Sequence, residues 1–350
     1  MSSNDAIPGG APPVVIPRRK PVVVSAADLV ATRFLRPGQE LPLVIEPKNK
    51  TVDLCDWMEK NRQSIDQDLR KYGAILFRNF GIDTIARFDQ AAKSIAGELL
   101  EYKERSSPRT QISGNIYTST DYPPDRHIFL HNENSYQRRW PLKIFFCCIT
   151  AAKQQGATPI ADVRKVASHI PEEIKEKFRQ KKVMYARTFG QGLGLTWEVV
   201  FQTTDKAAIE EHCREDGIEV EWLSDNRLRT RAVREAFRLH PKSGEWLWFN
   251  HATFFNISSR EPEVRDSLLA LFKEDELPTN SYYGDGTSIE PEVMDILREA
   301  YYKETITFPW EKGDVMLLDN MMVAHGREPF SGPRKVAVGM AEPVDSESQS

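Results

Sequence analysis

His131-Asn132-Glu133 and a third candidate ligand, His325 far downstream, constrain this chain more than any other feature. If the three side chains hold one metal ion, the fold must bring a late segment back against the strand-like run Ile128-Phe129-Leu130. A strand there projects residues two apart from one face, so His131 and Glu133 can reach the same ion. Two imidazoles and one carboxylate fill one face of an octahedral Fe(II) and leave three adjacent positions open for substrate and dioxygen. A zinc hydrolase could use the same three side chains around a metal-bound water, and a non-catalytic metal-binding jelly roll could use them without turnover. A His-x-Glu pair does not separate these readings, so the rest of the chain has to.

At 350 residues the chain can be one large domain or two. With 28% charged residues and a net charge of -4 it carries no nucleic-acid or membrane signature, so a small soluble substrate is expected. No apolar stretch approaches the roughly 20 residues of a membrane span, and no signal-peptide core opens the sequence, which places the protein in the cytoplasm. Cys55, Cys147, Cys148 and Cys213 have neither metal-cluster nor disulfide-framework spacing. Cys147 and Cys148 sit in an apolar run and read as small core residues.

Residues 1–21, with five prolines and Gly9-Gly10, read as a flexible arm, Arg18-Arg19-Lys20 as a solvated basic patch, and 344–350 as a polar tail. Between them, 22–343 reads as a single domain. Leu54, Trp57, Met58, Ile65 and Leu69 form one helical stripe over Asp53 to Tyr72, stopped by Gly73. Ala74 to Phe77 reads as a buried strand and Ile85 to Leu99 as a second helix. Residues 105–126 lose periodicity and read as a loop able to cover a pocket. Strands are expected at Lys143 to Thr150, Glu245 to Phe249, Asp314 to Leu318 and Lys335 to Met340. Helices are expected over Ile170 to Lys182, Asp205 to Asp216, Pro262 to Phe272 and Pro291 to Tyr302. The expected fold is mainly β with helices (α+β): a double-stranded β-helix, or jelly roll, with a helical insertion between the ligand-bearing strands.

Several motifs occur together and in order. They are Leu130-His131-Asn132-Glu133, Gly156-Ala157-Thr158-Pro159-Ile160-Ala161-Asp162, and Asp314-x5-Asn320-x4-His325-Gly326-Arg327 followed by Gly332-Pro333-Arg334. From about Gly73 to Met340 the chain resembles the taurine dioxygenase clan of Fe(II)/2-oxoglutarate-dependent dioxygenases. Gly114 to Pro123 and Trp248 to Phe255 look most like the branch containing the syringomycin-pathway aspartyl hydroxylase. The resemblance implies that His131, Glu133 and His325 bind iron, and that Thr158 and Arg334 hold the distal carboxylate of 2-oxoglutarate. A guanidinium matches a carboxylate bidentately, and the threonine adds a hydroxyl donor. It also implies Fe(II), 2-oxoglutarate and O2 as the reagents of a hydroxylase. Many clan members have Asp at the position of Glu133, while the branch with clavaminate and arginine oxygenases has Glu. Related halogenases lack this carboxylate, so Glu133 points to hydroxylation. Relatives that take sulfonates carry a second arginine where this chain has Val338, which disfavours simple sulfonates.

The amide, hydroxyl and phenol groups between Asn115 and Tyr122 suit an amino acid, so Asn115, Tyr117 and His127 are the candidate substrate contacts. The expected substrate is an amino acid or a carrier-protein-tethered aminoacyl unit of peptide natural-product (antibiotic) biosynthesis, hydroxylated at its β-carbon; another small polar metabolite is the alternative. A homo-oligomer is compatible with the sequence. His127 can equally be a surface imidazole, and His251 either a structural group or a substrate contact. His169, His212 and His240 read as exposed, Asp319 and Asn320 as turn or supporting groups, and Trp246, Trp248, Phe254 and Phe255 as core or pocket lining.

Overall fold

The structure, a computed structural model, describes residues 29–102, 109–190, 192 and 194–346. The expected arm, with its basic patch, and the last four residues lie outside them. β1 (Val30–Phe34) and β2 (Leu43–Pro47) pair antiparallel. The stripe over Asp53 to Tyr72 proves to be two helices, α1 (Leu54–Lys60) and α2 (Arg62–Tyr72). Asn61 between them leaves the helical region, and its side-chain amide donates to the Trp57 carbonyl at 2.7 Å, ending the first helix. Gly73, at φ 77°, closes α2 with its N–H on Leu69. β3 (Ala74–Phe77) and α3 (Ile85–Ala96) follow.

The stretch read as loop over 105–126 contains a short hairpin, β4 (Gln111–Ser113) and β5 (Ile116–Thr118), turning at Gly114. Next come β6 (Ile128–His131), β7 (Arg139–Thr150), β8 (Gln154–Gln155) and β9 (Ile160–Asp162). The insertion that follows is not purely helical. It holds α4 (Val163–Ser168), α5 (Glu172–Lys181), β10 (Val183–Phe189), α6 (Trp197–Phe201), α7 (Lys206–Glu215), β11 (Ile218–Trp222) and β12 (Leu228–Arg234). It continues with β13 (Phe237–Leu239), β14 (Trp246–Trp248), α8 (Ala252–Phe255), α9 (Pro262–Leu271), β15 (Thr279–Tyr283) and α10 (Pro291–Lys303). Four of its strands form a sheet in the order β11-β12-β10-β15. Charged side chains alternate along β11 and β12, and Glu221 pairs with Arg229 and Arg231 across them, so no apolar run marks these strands. The chain closes with β16 (Val315–Asp319), β17 (Val323–Arg327), β18 (Phe330–Ser331) and β19 (Lys335–Asp345). β19 runs two residues into the segment read as a tail.

An eight-stranded sheet ordered β1-β2-β3-β16-β7-β19-β5-β4 faces a small sheet ordered β6-β17-β9, giving the mixed α+β jelly-roll architecture. Alternation decides which core each side chain joins. Phe145, Cys147, Val315 and Leu317 pack outward with Leu54, Met58, Leu69 and Phe88 of α1 to α3. Ile144, Phe146, Met316, Leu318 and Val338 face inward, toward Leu130, Ile160 and Ala324 of the small sheet. Both faces of β7 and β16 are therefore covered, which is why these strands read as continuous apolar runs. Trp248 and Phe255 lie in the inner core and Phe254 packs against it, whereas Trp246, the first residue of β14, is 68% exposed.

Candidate metal centre

β17 lies between β6 and β9, with His325 paired to His131 on one side and Ile160 on the other. The pairing slips between His325 and Arg327, and only a glycine fits at the slip, since a Cβ on Gly326 would sit 2.6 Å from the Ile128 carbonyl oxygen. One strand pair thus carries both histidines into the inner core, with ring centroids 4.7 Å apart. Glu133 arrives differently from the expected strand geometry. β6 ends at His131, and Glu133 sits in the following turn.

Asn320 sets that turn. Its Oδ1 accepts the Glu133 N–H at 2.8 Å, and its Nδ2 donates to the Glu133 carbonyl at 2.9 Å and the Pro141 carbonyl at 2.8 Å. The Asn320 carbonyl accepts from Asn132 Nδ2 at 2.6 Å. Asn320 thus serves as the supporting group expected of it, and through it the β16–β17 turn grips the carboxylate-bearing turn. Asp319 holds the same turn, accepting the Met321 and Met322 N–H groups, while His240 Nε2 lies 2.9 Å from its other oxygen. His240 is accordingly buried, at 1% exposure, not on the surface as expected.

Nitrogen or oxygen atoms of His131, Glu133 and His325 all lie within 4.8 Å of one another. Ligands about 2.1 Å from one ion lie at most about 4.2 Å apart, so small side-chain rotations suffice to close the three on it. His131 Nδ1 is 2.8 Å from the Phe129 carbonyl, which leaves Nε2 free to face a metal. Burial, then the neighbouring His325, lowers the His131 pKa to about 3, so the imidazole is neutral and able to ligate. Burial pushes the Glu133 carboxyl up, but Arg109 first, then His325 and His131, outweigh it and hold the group well below the usual carboxylate range. Arg109 Nη2 donates to Glu133 Oε2 at 2.6 Å.

Thr158 and Arg334 meet beside this cluster. Thr158 stands two residues before Ile160, the partner of His325. Arg334 Nη2 lies 3.4 Å from Thr158 Oγ1, its Nε donates to the Gly156 carbonyl at 2.8 Å, and Trp310 Nε1 donates to Thr158 Oγ1 at 3.0 Å. Gly156, at φ 73°, allows the approach: a Cβ there would be 2.9 Å from Phe330 and 3.2 Å from Arg334. Burial, then the charge of Arg327, pushes the Arg334 guanidinium down to about 10, and no carboxylate pairs with it among the described residues. A half-buried cation with hydroxyl neighbours and no counter-ion among the described residues fits the distal carboxylate of 2-oxoglutarate. Arg327 is already committed, donating to the carbonyls of Tyr122, Pro123 and Arg126.

The three substrate candidates separate. Tyr117 is fully buried, and its hydroxyl accepts the Tyr102 N–H at 3.1 Å; the Tyr102 ring in turn carries the Arg109 guanidinium at 4.6 Å. Asn115 Nδ2 is bonded to the Leu99 carbonyl at 2.6 Å. His127 is exposed at the Arg327 end of β6, as a surface imidazole, and the charges acting on it are those of Glu328, Arg327 and Glu261. His251, left open by the sequence, is buried beside the cluster. Its ring centroid is 5.5 Å from that of His131, its Nδ1 is 2.8 Å from Ser135 Oγ, and its Nε2 has no partner among the described residues. Arg109 and Trp310 were not singled out by sequence. Both lie in aperiodic segments, and their roles come only from contacts with distant residues.

The jelly roll, the clustered His131, Glu133 and His325, and the uncompensated arginine define a class, and comparison with known proteins agrees. Residues 36–340 match the taurine catabolism dioxygenase TauD, TfdA family, and the chain belongs to it. It is a non-haem Fe(II)- and 2-oxoglutarate-dependent dioxygenase that uses O2. The dapdiamide synthesis protein DdaC of Enterobacter agglomerans is 44% identical over 80% of this chain and 85% of its own length. A clavaminate synthase-like protein of Arabidopsis thaliana is 25% identical over 87% of this chain and 94% of its own. Among solved structures, PvcB, an Fe, alpha-ketoglutarate dependent oxygenase from an isonitrile synthetic pathway, shares the fold. It has a TM-score of 0.54 and 15% identity, covering 91% of this chain and 94% of that one. No helix among the described residues is long and apolar enough to cross a membrane.

Proposed function

We propose that His131, Glu133 and His325 are the iron ligands, that Thr158 and Arg334 hold the distal carboxylate of 2-oxoglutarate, and that the enzyme hydroxylates the β-carbon of an amino acid or carrier-tethered aminoacyl unit in peptide natural-product biosynthesis. The observation that carries the site assignment is the convergence of two imidazoles and a carboxylate on one point, beside a half-buried arginine without a counter-ion among the described residues. Iron with 2-oxoglutarate and dioxygen supplies the oxidant that takes hydrogen from an unactivated C–H bond, with succinate and carbon dioxide as by-products.

The protein's part is placement. Asn320 and Arg109 hold Glu133 from its backbone and its carboxylate, and the Phe129 carbonyl orients His131. Phe146 packs against His325 at 5.1 Å and, with Leu130 and Val338, keeps water from the reacting centre. Glu133 fills the position that halogenases leave for chloride, which supports oxygen insertion. His251 Nε2 and the unpaired N–H groups of Arg109 supply polar contacts suited to an amino acid. The 44% identical relative named for dapdiamide synthesis supports a place in natural-product assembly. The free thiols of Cys55, Cys147 and Cys148 suit a reducing compartment such as the cytoplasm.

The test offers free amino acids, carrier-loaded aminoacyl thioesters and taurine in parallel, following succinate together with a mass gain of one oxygen. Coupled turnover of an amino acid or its loaded form is expected. Coupled turnover of taurine alone would sink the amino-acid reading. Anaerobic addition of Fe(II) and 2-oxoglutarate should also give a weak visible charge-transfer band, which Arg334→Ala weakens at a fixed 2-oxoglutarate concentration.

A further inference from the structure

Arg109 is tied down on one side and unused on the other. Its side chain is 4% exposed, its Nη2 donates to Glu133 Oε2, and its guanidinium lies 4.6 Å from the Tyr102 ring centroid. Tyr102 is itself fixed, its N–H on the Tyr117 hydroxyl and its carbonyl accepting from Gln202 Nε2 at 3.2 Å. The guanidinium plane is therefore set, while Nε and Nη1 are buried with no hydrogen-bond partner among the described residues. Nε–H and Nη1–H, on separate edges of the guanidinium, are costly to leave unpaired in a dry site, and each can donate a charge-assisted hydrogen bond to a carboxylate oxygen.

Charge points the same way. The ion, Glu133 and the 2-oxoglutarate dianion together carry one negative charge, which Arg334 cancels. Arg109 then leaves one positive charge over in a buried site, and a singly anionic substrate group neutralises it.

Resting on the metal and 2-oxoglutarate reading above, we infer that the unpaired N–H groups of Arg109 are the receptor for a carboxylate of the substrate. Substrates are accordingly carboxylate-bearing units. The carboxylate is either the free α-carboxylate of an untethered amino acid or the side-chain carboxylate of an acidic aminoacyl unit joined to a carrier as a thioester.

The two sources are separated by four probes: L-aspartate, L-asparagine and the pantetheine thioesters of each. Protein loaded with Mn(II) and N-oxalylglycine is titrated with each probe by calorimetry. If Arg109 takes an α-carboxylate, both free amino acids bind and both thioesters bind weakly. If it takes a side-chain carboxylate, aspartate and the aspartyl thioester bind and the two asparagine probes bind weakly. In either case the best carboxylate probe should bind roughly ten- to a hundredfold tighter than the asparaginyl thioester, which has none. Arg109→Gln should erase that preference, and Arg109→Lys, which keeps the charge but loses the planar fork, should retain part of it. A role confined to positioning Glu133 would instead weaken Mn(II) binding and leave the preference among probes intact. Equal affinity for all four, binding of none, or a preference that survives in Arg109→Gln overturns the inference. Failure of wild-type protein to take up Mn(II) and N-oxalylglycine overturns the metal-site reading itself, and the inference with it.

Discussion

Asn320 is fully buried and joins two loops that are distant in sequence, so its removal has a cost that can be worked from the contacts. Asn320→Ala deletes three side-chain hydrogen bonds and strands the Glu133 N–H together with the Glu133 and Pro141 carbonyls. Each bond contributes about 1 kcal/mol net, and a stranded buried donor costs about 1–3 kcal/mol, with carbonyls at the lower end because a second lone pair can still be used. The expected destabilisation is about 3–5 kcal/mol, a large share of the ~5–15 kcal/mol that holds a typical native protein together. Asn320→Asp keeps the acceptor for Glu133 but turns lone pairs or a buried charge toward two carbonyls, so it should cost at least as much. Urea unfolding of metal-free protein reads both variants, as a lower midpoint at unchanged slope. Released from its backbone clamp, Glu133 should also bind metal more weakly, by roughly ten- to a hundredfold. A stability loss below about 1 kcal/mol, with metal affinity unaltered, would show that Arg109 and the neighbouring chain fix Glu133 without Asn320.

His131→Ala, Glu133→Ala and His325→Ala should each abolish oxygen-dependent consumption of 2-oxoglutarate, with Glu133→Asp milder because it keeps the charge at a shorter reach; near-normal turnover in any alanine variant removes that residue from the ligand set. Arg334→Ala should raise the 2-oxoglutarate KM roughly a hundredfold or more, from the ~3–5 kcal/mol penalty of an unpaired buried carboxylate, and an unchanged KM would assign the carboxylate to another cation. Thr158→Ala should cost less on that KM, about 1.5–3 kcal/mol for one bond to a charged group, although it also strands Trp310 Nε1. Burial pushes the Cys148 thiol up to about 12 from an ordinary 9.0 and raises Cys147 as well. Because the folded pKa lies above the unfolded one, the stability from keeping these thiols protonated is complete below pH 9 and is lost as pH rises toward 12. Wild-type denaturation midpoints should therefore fall more steeply over that window than those of Cys148→Ala, and a thiol reagent at pH 8 should find only Cys55 in the folded protein.

What could be read from the sequence divides along a physical line. β3, β7, β16 and β19 are covered on both faces or alternate strictly, and so announce themselves as apolar runs, and α3, α7, α9 and α10 carry their own caps or N-terminal prolines. β11 and β12 were not legible, because their stability lies in cross-strand Glu and Arg pairs that resemble solvated helix faces until the partner strand is known. The break at Asn61 was hidden for a related reason. The apolar stripe continues through it, and only the amide's bond to the Trp57 carbonyl shows that the helix has stopped.

The same line runs through the site. His131, Glu133, His325, Thr158 and Arg334 lie in motifs whose spacing is local, whereas Arg109, Asn320 and His251 owe their positions to contacts across the fold. Asn320 illustrates the difference. As the residue after Asp319 at a strand end it looks like ordinary turn chemistry, and nothing near it in sequence indicates that its side chain holds the backbone of Glu133. His251 comes from the insertion, between β14 and α8, and reaches the metal cluster because Tyr185 of β10 takes its backbone N–H at 2.8 Å while Ser135 takes its ring. The insertion therefore contributes a wall beside the cluster of His131, Glu133 and His325. Substitutions that release His251, such as Tyr185→Phe, should raise the KM for the organic substrate while leaving unchanged the 2-oxoglutarate KM, which we propose Arg334 and Thr158 on the barrel itself set. A matched rise in both constants would mean that the insertion and the barrel site do not act separately.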